Sequence, residues 1–448
     1  MNEGNLSHPQ IPQEFNAAAE RKNFSRIGLA LIMYILLTVV LQGAISTVFP
    51  EAVPAALKAG GWLPWLITYL PQLLVGVPVC YLMLRTEEKP ELPDGGIGAG
   101  SYIQIMIMCI TVMYIGNIIG NLITSLFQAG NPLHNIVLES NIWATLLLAV
   151  IMVPITEELI FRRMVMNRLL KYGDKTAIIV SALLFALFHG NLAQFFYAFG
   201  LGIIFGYVYA RTGKLRYSIG LHMFINFLGL IVGNLILRLL ANIDLDAISG
   251  LDFTDTEAVL EILGDSMGQL LIVALYFLVM IILAVVGLVL LLVKRKKARY
   301  AEATVVIPPE KRAGIIFGNP GMIVYVACTV VLIAISLLLP VISNKAGGAV
   351  ANVACASARH GLSAAFIGKA GDDLHGHFLR SVLEAEGVDT GNLMIAAGRP
   401  TSLAFVSLSP AFAACRPAQA PPRKRSCLPV KASRKKRRNF CCRNIPCP

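Results

Sequence analysis

The sequence predicts an all-α polytopic membrane protein of about eight to nine transmembrane helices, followed by a truncated α/β fragment and a disordered basic tail. Three observations carry that prediction. Hydrophobic residues make up 56% of the 448 and charged residues only 14%, whereas soluble domains carry roughly 25% charged residues. Mean hydropathy is +0.68, and the apolar residues fall in long uninterrupted runs. After Pro340 the composition changes to a mixed pattern suited to water.

A helix needs about 20 predominantly apolar residues to cross the hydrocarbon core. Runs of that kind predict spans over 27–49, 62–84, 102–127, 142–170, 176–190, 193–211, 217–240, 269–293 and 321–341. The fifth is short and needs protein neighbours. Arg21, Lys22 and Arg26 precede the first span, Arg85 and Lys89 follow the second, and Lys171 and Lys175 lie between the fourth and fifth. Arg211, Lys214 and Arg216 follow the sixth, and Lys294 to Lys297 follow the eighth, while 241–268 is acidic. Every second loop is basic, which the charge rule for short loops reads as cytoplasmic. The expectation is a multi-pass protein of the cell (plasma) membrane with a cytoplasmic N-terminus. The first 26 residues lack the basic start and small-residue cleavage site of a signal peptide.

The net charge of +12 does not point to nucleic acid, because the cations sit in short clusters beside apolar runs. The bilayer is the expected partner and no nucleic acid is expected. Cys80, Cys109 and Cys328 lie in apolar runs and read as small hydrophobes. Cys415, Cys427, Cys441, Cys442 and Cys447 crowd the end of the chain without a CxxC pair, a weak disulfide signal. The pairs Gly116/Gly120, Gly202/Gly206 and Gly229/Gly233 read as small-residue contacts that let helix backbones approach.

The costly residues are the informative ones. Segment 154–163 reads Pro-Ile-Thr-Glu-Glu-Leu-Ile-Phe-Arg-Arg, and carboxylates inside an apolar helix need partners. Glu158 and Arg162 are spaced i,i+4, the geometry of an ion pair. That leaves Glu157 free. Segment 181–190 carries Phe185 and His189 one turn apart; the plainer reading of His189 is a satisfied core histidine. If the turn at Gly173 joins two antiparallel helices, Glu157 and His189 each lie 16 residues from it and face each other at one depth, about 24 Å away. His222 and Asn226 share another helix face, but the same ruler places His222 shallower. A bent or displaced helix has to close that gap. Asn226 also reads as helix glue.

Two chemistries use such a set. In one, Glu157 is a general base that deprotonates a water attacking a peptide carbonyl, with histidine and asparagine donors for the oxyanion. In the other, Glu157, His189 and His222 hold zinc, which activates the water. There is no HExxH, and spacing does not choose between them.

The ordered set Glu157-Glu158-x-x-x-Arg162, Phe185-x-x-x-His189 and His222-x-x-x-Asn226 resembles the CPBP family of intramembrane proteases. That family comprises the type II CAAX prenyl endopeptidases and the Abi-like bacteriocin-processing or immunity proteins. The resemblance covers roughly 95–240. It implies a membrane endopeptidase acting on a peptide or protein substrate, prenylated-like or otherwise membrane-associated. It further implies Glu157 as base, His189 as its partner, His222 and Asn226 as oxyanion donors, and Glu158, Arg162 and Phe185 as support. The family has been described both as metalloproteases and as metal-free enzymes; zinc is the one cofactor it suggests. The rival reading is a non-catalytic membrane protein, an immunity factor or a proton-coupled transporter, built on the same buried residues.

Beyond the spans, Gly347-Gly-Ala-Val-Ala-Asn352 and Gly368-Lys-Ala-Gly371-Asp372-Asp373 resemble the sugar-binding turn and the Gly-Asp-Asp turn of ribokinase/fructokinase-like carbohydrate kinases. An amphipathic helix is expected over about 373–387. The half of that family bearing the Asp base and the anion hole is missing, which implies an inactive fragment. The expected organisation is a cytoplasmic segment 1–26, a membrane domain 27–345 with core motifs in 142–240, a kinase-like fragment 346–409 and a disordered tail 410–448. The last two are expected to be a fusion of a truncated reading frame with out-of-frame text.

Overall fold

The apolar runs have no alternative to helix inside lipid, because every backbone N–H and C=O must find its partner within the segment. The computed structural model describes residues 15–49, 62–85, 92–127, 141–241, 256–342, 349–359 and 361–396. By contact it divides into two compact units, Met1–Ser343 and Asn344–Pro448. The predicted tail 410–448 lies outside the described residues.

In the first unit the helices are α1 (Ala17–Val48), α2 (Trp65–Leu84), α3 (Ala99–Leu126), α4 (Ile142–Tyr172), α5 (Asp174–Phe188), α6 (Leu192–Thr212) and α7 (Leu215–Leu240). They continue with α8 (Thr256–Lys294), α9 (Pro309–Ile316) and α10 (Pro320–Ile342). All except α5 and α9 are long and apolar enough to cross a membrane, so the protein is membrane-embedded. The segment predicted as the short fifth span is α5, only 15 residues long. It is enclosed by its neighbours: Ala177, Val180, Ala182, Leu184 and Ala186 are all buried.

Helix α4 departs from regular geometry. Thr145–Met152 and Leu159–Met166 are π-helical, on either side of a short α-helical stretch, Val153–Glu158. Pro154 helps to explain the first of these. Val153 N–H bonds to the Leu148 carbonyl, five residues back, so the next bond of the series would run from residue 154 to Ala149. Proline has no N–H to give, and the Ala149 carbonyl is left to accept from Asn226 Nδ2 at 3.0 Å. A π turn advances less per residue than an α turn, so Glu157 lies closer to the Gly173 turn than the α-helical ruler predicts.

The basic end of α4 is clamped on three sides. Arg168 donates to the carbonyls of Leu84 and Arg85 at 3.0 Å and to Asn23 Oδ1 at 2.8 Å. Glu20, in the first turn of α1, accepts from Tyr172 and pairs with Lys171 at 2.7 Å. Gly173 adopts φ +86°, and a Cβ there would meet the Ala303 nitrogen at 3.2 Å. The strap after α8 binds this turn: Thr304 and Val305 N–H donate to the Lys171 carbonyl, and Asp174 exchanges two hydrogen bonds with Ala301.

Two of the three predicted glycine pairs lie at helix contacts. Gly116 and Gly120 of α3 abut the backbone of Tyr197 and Ala193 in α6, and Gly202 and Gly206 of α6 face Ala182 and Ile178 in α5. Gly229 has nothing within 4 Å, so the third pair makes no such contact. The second unit holds α11 (Ala349–Arg359), β1 (Gly368–Gly371), α12 (Leu374–Ala385) and β2 (Leu393–Ala396), the strands pairing in parallel. Its small core is Ala351, Ala370, Leu383, Val388 and Leu393.

Gly116→Val places a branched side chain against the Tyr197 backbone and is expected to cost about 1–3 kcal/mol, read as a lower unfolding temperature in detergent. Gly229→Ala, in open space, is expected to leave that temperature unchanged.

Candidate active site

Glu158 and Arg162 are both fully buried, and Arg162 Nε donates to Glu158 Oε2 at 3.0 Å. This is the predicted i,i+4 pair. Arg162 Nη1 donates to Ser181 Oγ at 2.9 Å, and Ser181 in turn donates to the Phe161 carbonyl. The guanidinium carbon lies 5.4 Å from the Phe185 ring centre and 6.0 Å from that of Phe205, so aromatic faces cover the side of the cation that the carboxylate does not. Among the described residues Nη2 has no hydrogen-bond partner.

The other oxygen of Glu158 reaches across to α7, where His222 Nδ1 sits 3.2 Å from Oε1. An ionised carboxylate only accepts, so Nδ1 carries the proton of this contact. The Ser218 hydroxyl, one turn before His222, lies within hydrogen-bonding reach of the same carboxylate. His222 Nε2 then faces Glu157 Oε2 at 3.6 Å. One imidazole therefore stands between two carboxylates, gripped by the deeper and presented to the shallower. Glu157 is 15% exposed, against 0% for Glu158.

This arrangement corrects the expected depths. His222, predicted to be shallower than the pair, is the histidine that meets Glu157. The π-helical run Leu159–Met166 explains part of the error by shortening the path from Glu157 to the turn. His189 makes no hydrogen bond or ion pair with Glu157 among the described contacts. Its Nδ1 lies 2.9 Å from the Phe185 carbonyl, which can only accept, so Nδ1 is protonated and Nε2 of the neutral ring is a free acceptor.

Phe185 orders both rings, packing edge-on to His189 at 4.9 Å and to His222 at 5.8 Å. Phe205 lies against the other side of His222 at 5.3 Å. Asn226 has given one amide hydrogen to the Ala149 carbonyl, which leaves one to donate elsewhere. Tyr69 and Thr156 share a buried hydroxyl contact of 2.5 Å one residue before Glu157. Tyr34, Tyr69 and Tyr197 all lie within electrostatic reach of Glu157.

Sequence reasoning missed Ser181, Ser218, Phe205, Tyr69 and Thr156. The two serines carried a readable signal, since a hydroxyl in an apolar helix is cheap only with a partner. The aromatics carried none. No three His, Cys, Asp or Glu side chains are grouped to hold a metal ion among the described residues.

The family model for Type II CAAX prenyl endopeptidase Rce1-like proteins matches residues 139–228, the stretch that holds every residue of this cluster except Tyr34 and Tyr69. At family level that match is a likeness to membrane endopeptidases. The pfkB family carbohydrate kinase model matches residues 334–429. Similar curated proteins align there as well. Fructokinase-1 of Oryza sativa subsp. japonica is 51% identical over 69 residues, 15% of this chain and 21% of the relative. A 5-dehydro-2-deoxygluconokinase of Halalkalibacterium halodurans is 45% identical over 67 residues, 15% and 20%. A probable fructokinase-3 of Arabidopsis thaliana is 52% identical over 62 residues, 14% and 18%. The chain thus spans about a fifth of the length of the curated relatives it matches. No solved structure matches.

Arg162→Met removes the cation paired with buried Glu158, leaving it only His222 and Ser218, and is expected to destabilise the membrane unit by about 3–5 kcal/mol. Thermal unfolding of the purified full chain in detergent measures it.

Proposed function

We propose that the membrane unit is an intramembrane endopeptidase in which Glu157 activates the attacking water. The observation that carries this reading is the division of labour between adjacent carboxylates. Glu158 is consumed by Arg162 and His222, while Glu157 keeps an oxygen facing His222 Nε2 at 3.6 Å. In the proposed step the water gives one proton to Glu157 and its oxygen bonds to the peptide carbonyl carbon. The second hydrogen of that water is held by Nε2 of His189, the free acceptor. The remaining amide hydrogen of Asn226 stabilises the oxyanion, joined by Nε2–H of His222 in the doubly protonated form of that ring, which stands between two carboxylates. As the C–N bond breaks, Glu157 returns its proton to the amine nitrogen, and the products are an amine and a carboxylic acid that keeps the second hydrogen of the water. No step is routed through a metal.

The substrate is a membrane-associated peptide or protein, and a prenylated-like segment fits a site opened within apolar helices. The unit stands in the plasma membrane with its N-terminus in the cytoplasm, the side to which the basic loops after the second, fourth, sixth and eighth predicted spans assign it. The kinase-like segment is assigned no phosphoryl transfer.

Cleavage of a membrane-tethered peptide library by full-length protein tests the proposal. Glu157→Gln should abolish turnover and leave the unfolding temperature within a degree or so of the parent, and a chelator should leave turnover unchanged. Retained cleavage by that variant would sink the role of Glu157. Loss of turnover on chelation with recovery on added zinc would overturn the metal-free step.

A further inference from the structure

A basic cleft lies between α1 and α10. The first turns of α1 and the start of α10 enclose a cleft of about 440 Å³ lined by Arg21, Lys22, Ser25, Arg26, Leu29, Asn319 and Pro320. Among the described residues its cations have no ion-pair partner. Glu20, the nearest acid in sequence, is committed to Lys171 and Tyr172, and neither Lys22 nor Arg26 has an ion pair among the described residues. Arg168, within electrostatic reach of Arg26, adds a further positive charge.

The cleft is also built rather than a loose cluster. Arg21 is anchored on the Gly318 carbonyl at 2.5 Å, and Ser25 Oγ accepts from Gly321 N–H at 3.0 Å. Asn319 caps α10 by accepting from Met322 N–H at 3.0 Å while its amide donates to the carbonyls of Ile315 and Ile316. Gly28 and Gly321 bring the two backbones into direct contact beneath it, with no room for even a Cβ.

We propose that this cleft binds the phosphate of an anionic phospholipid, with Lys22 and Arg26 as its cationic ligands. The depth argues for lipid over a free anion. Arg26 is the last charged residue before the apolar run of α1, Pro320 opens the apolar run of α10, and Leu29, one turn deeper, is 41% exposed. A headgroup held at Lys22 and Arg26 lays its acyl chain down the outer face of Leu29. Basic pockets between transmembrane helices at the membrane surface suit anionic headgroups in just this way. The positive end of the α10 dipole adds to the attraction, although the first amides of α10 are already spent on Ser25 and Asn319.

The test uses full-length protein in zwitterionic phosphatidylcholine micelles, titrated with short-chain phosphatidylglycerol and, separately, with inorganic phosphate. Bound lipid is read by native mass spectrometry and by the rise in unfolding temperature. Wild type should take up phosphatidylglycerol and ignore phosphate. Lys22→Gln with Arg26→Gln should weaken that uptake about tenfold or more, while Lys296→Gln with Lys297→Gln leaves it unchanged. Lys22 is exposed, so Lys22→Gln alone, expected to weaken binding in the same direction, serves if the double variant fails to fold. Uptake by wild type no greater than that of the double variant, or equal loss in the Lys296/Lys297 variant, would overturn the site. Competition by inorganic phosphate would overturn its assignment to lipid.

Discussion

Everything around the candidate site depends on keeping one carboxylate ionised where no water reaches it. Glu158 is fully buried within an apolar bundle, and an isolated charge there costs several kcal/mol. Its two oxygens are matched on opposite sides, one by Arg162 of the same helix and one by His222 of α7. Arg162 in turn needs Ser181 and the rings of Phe185 and Phe205. Four helices are thereby joined through a single buried anion. The constraint also sets the tautomer and direction of His222, and so decides which face of the imidazole meets Glu157. In the proposed chemistry the adjacent glutamates are not redundant: one positions the histidine, and the other is free to exchange a proton.

A second constraint comes from proline. Pro154 removes the N–H that the π-helical series would send to Ala149, and Asn226 supplies the missing donor from α7. The irregularity of α4 is thus satisfied by the same helix that carries His222, three residues before the glutamates on one side and four residues after the histidine on the other. Irregular backbone inside a membrane persists where it is buried in protein, and π-helical stretches frequently accompany functional sites.

Much of this was legible in the residues. The apolar runs predicted the spans because lipid leaves the backbone few options, and the i,i+4 spacing of Glu158 and Arg162 named their pairing. The family resemblance carried by the three ordered motifs named Glu157, His189, His222 and Asn226 as candidates. What failed was the ruler. An α-helical rise counted from Gly173 overestimates the distance to Glu157, because Leu159–Met166 is π-helical, and nothing in that stretch announces it. His222 was consequently set too shallow, and His189 was given the contact that His222 makes. Phe205 and Tyr69 were unreadable for a different reason. An aromatic in an apolar helix carries no sign of which neighbour it will meet. The Gly229/Gly233 pair shows the converse, a spacing suited to close packing with nothing near Gly229.

The central claim is that Glu158 is a structural anion coupled to Arg162 whereas Glu157 is not. A thermodynamic cycle on the full chain in detergent tests it directly, comparing Glu158→Gln, Arg162→Met and their double variant with the matching set for Glu157→Gln. The account predicts a coupling energy of about 1–3 kcal/mol between Glu158 and Arg162 and none resolved between Glu157 and Arg162. Equal coupling of both glutamates to Arg162, or coupling to Glu157 alone, would contradict it.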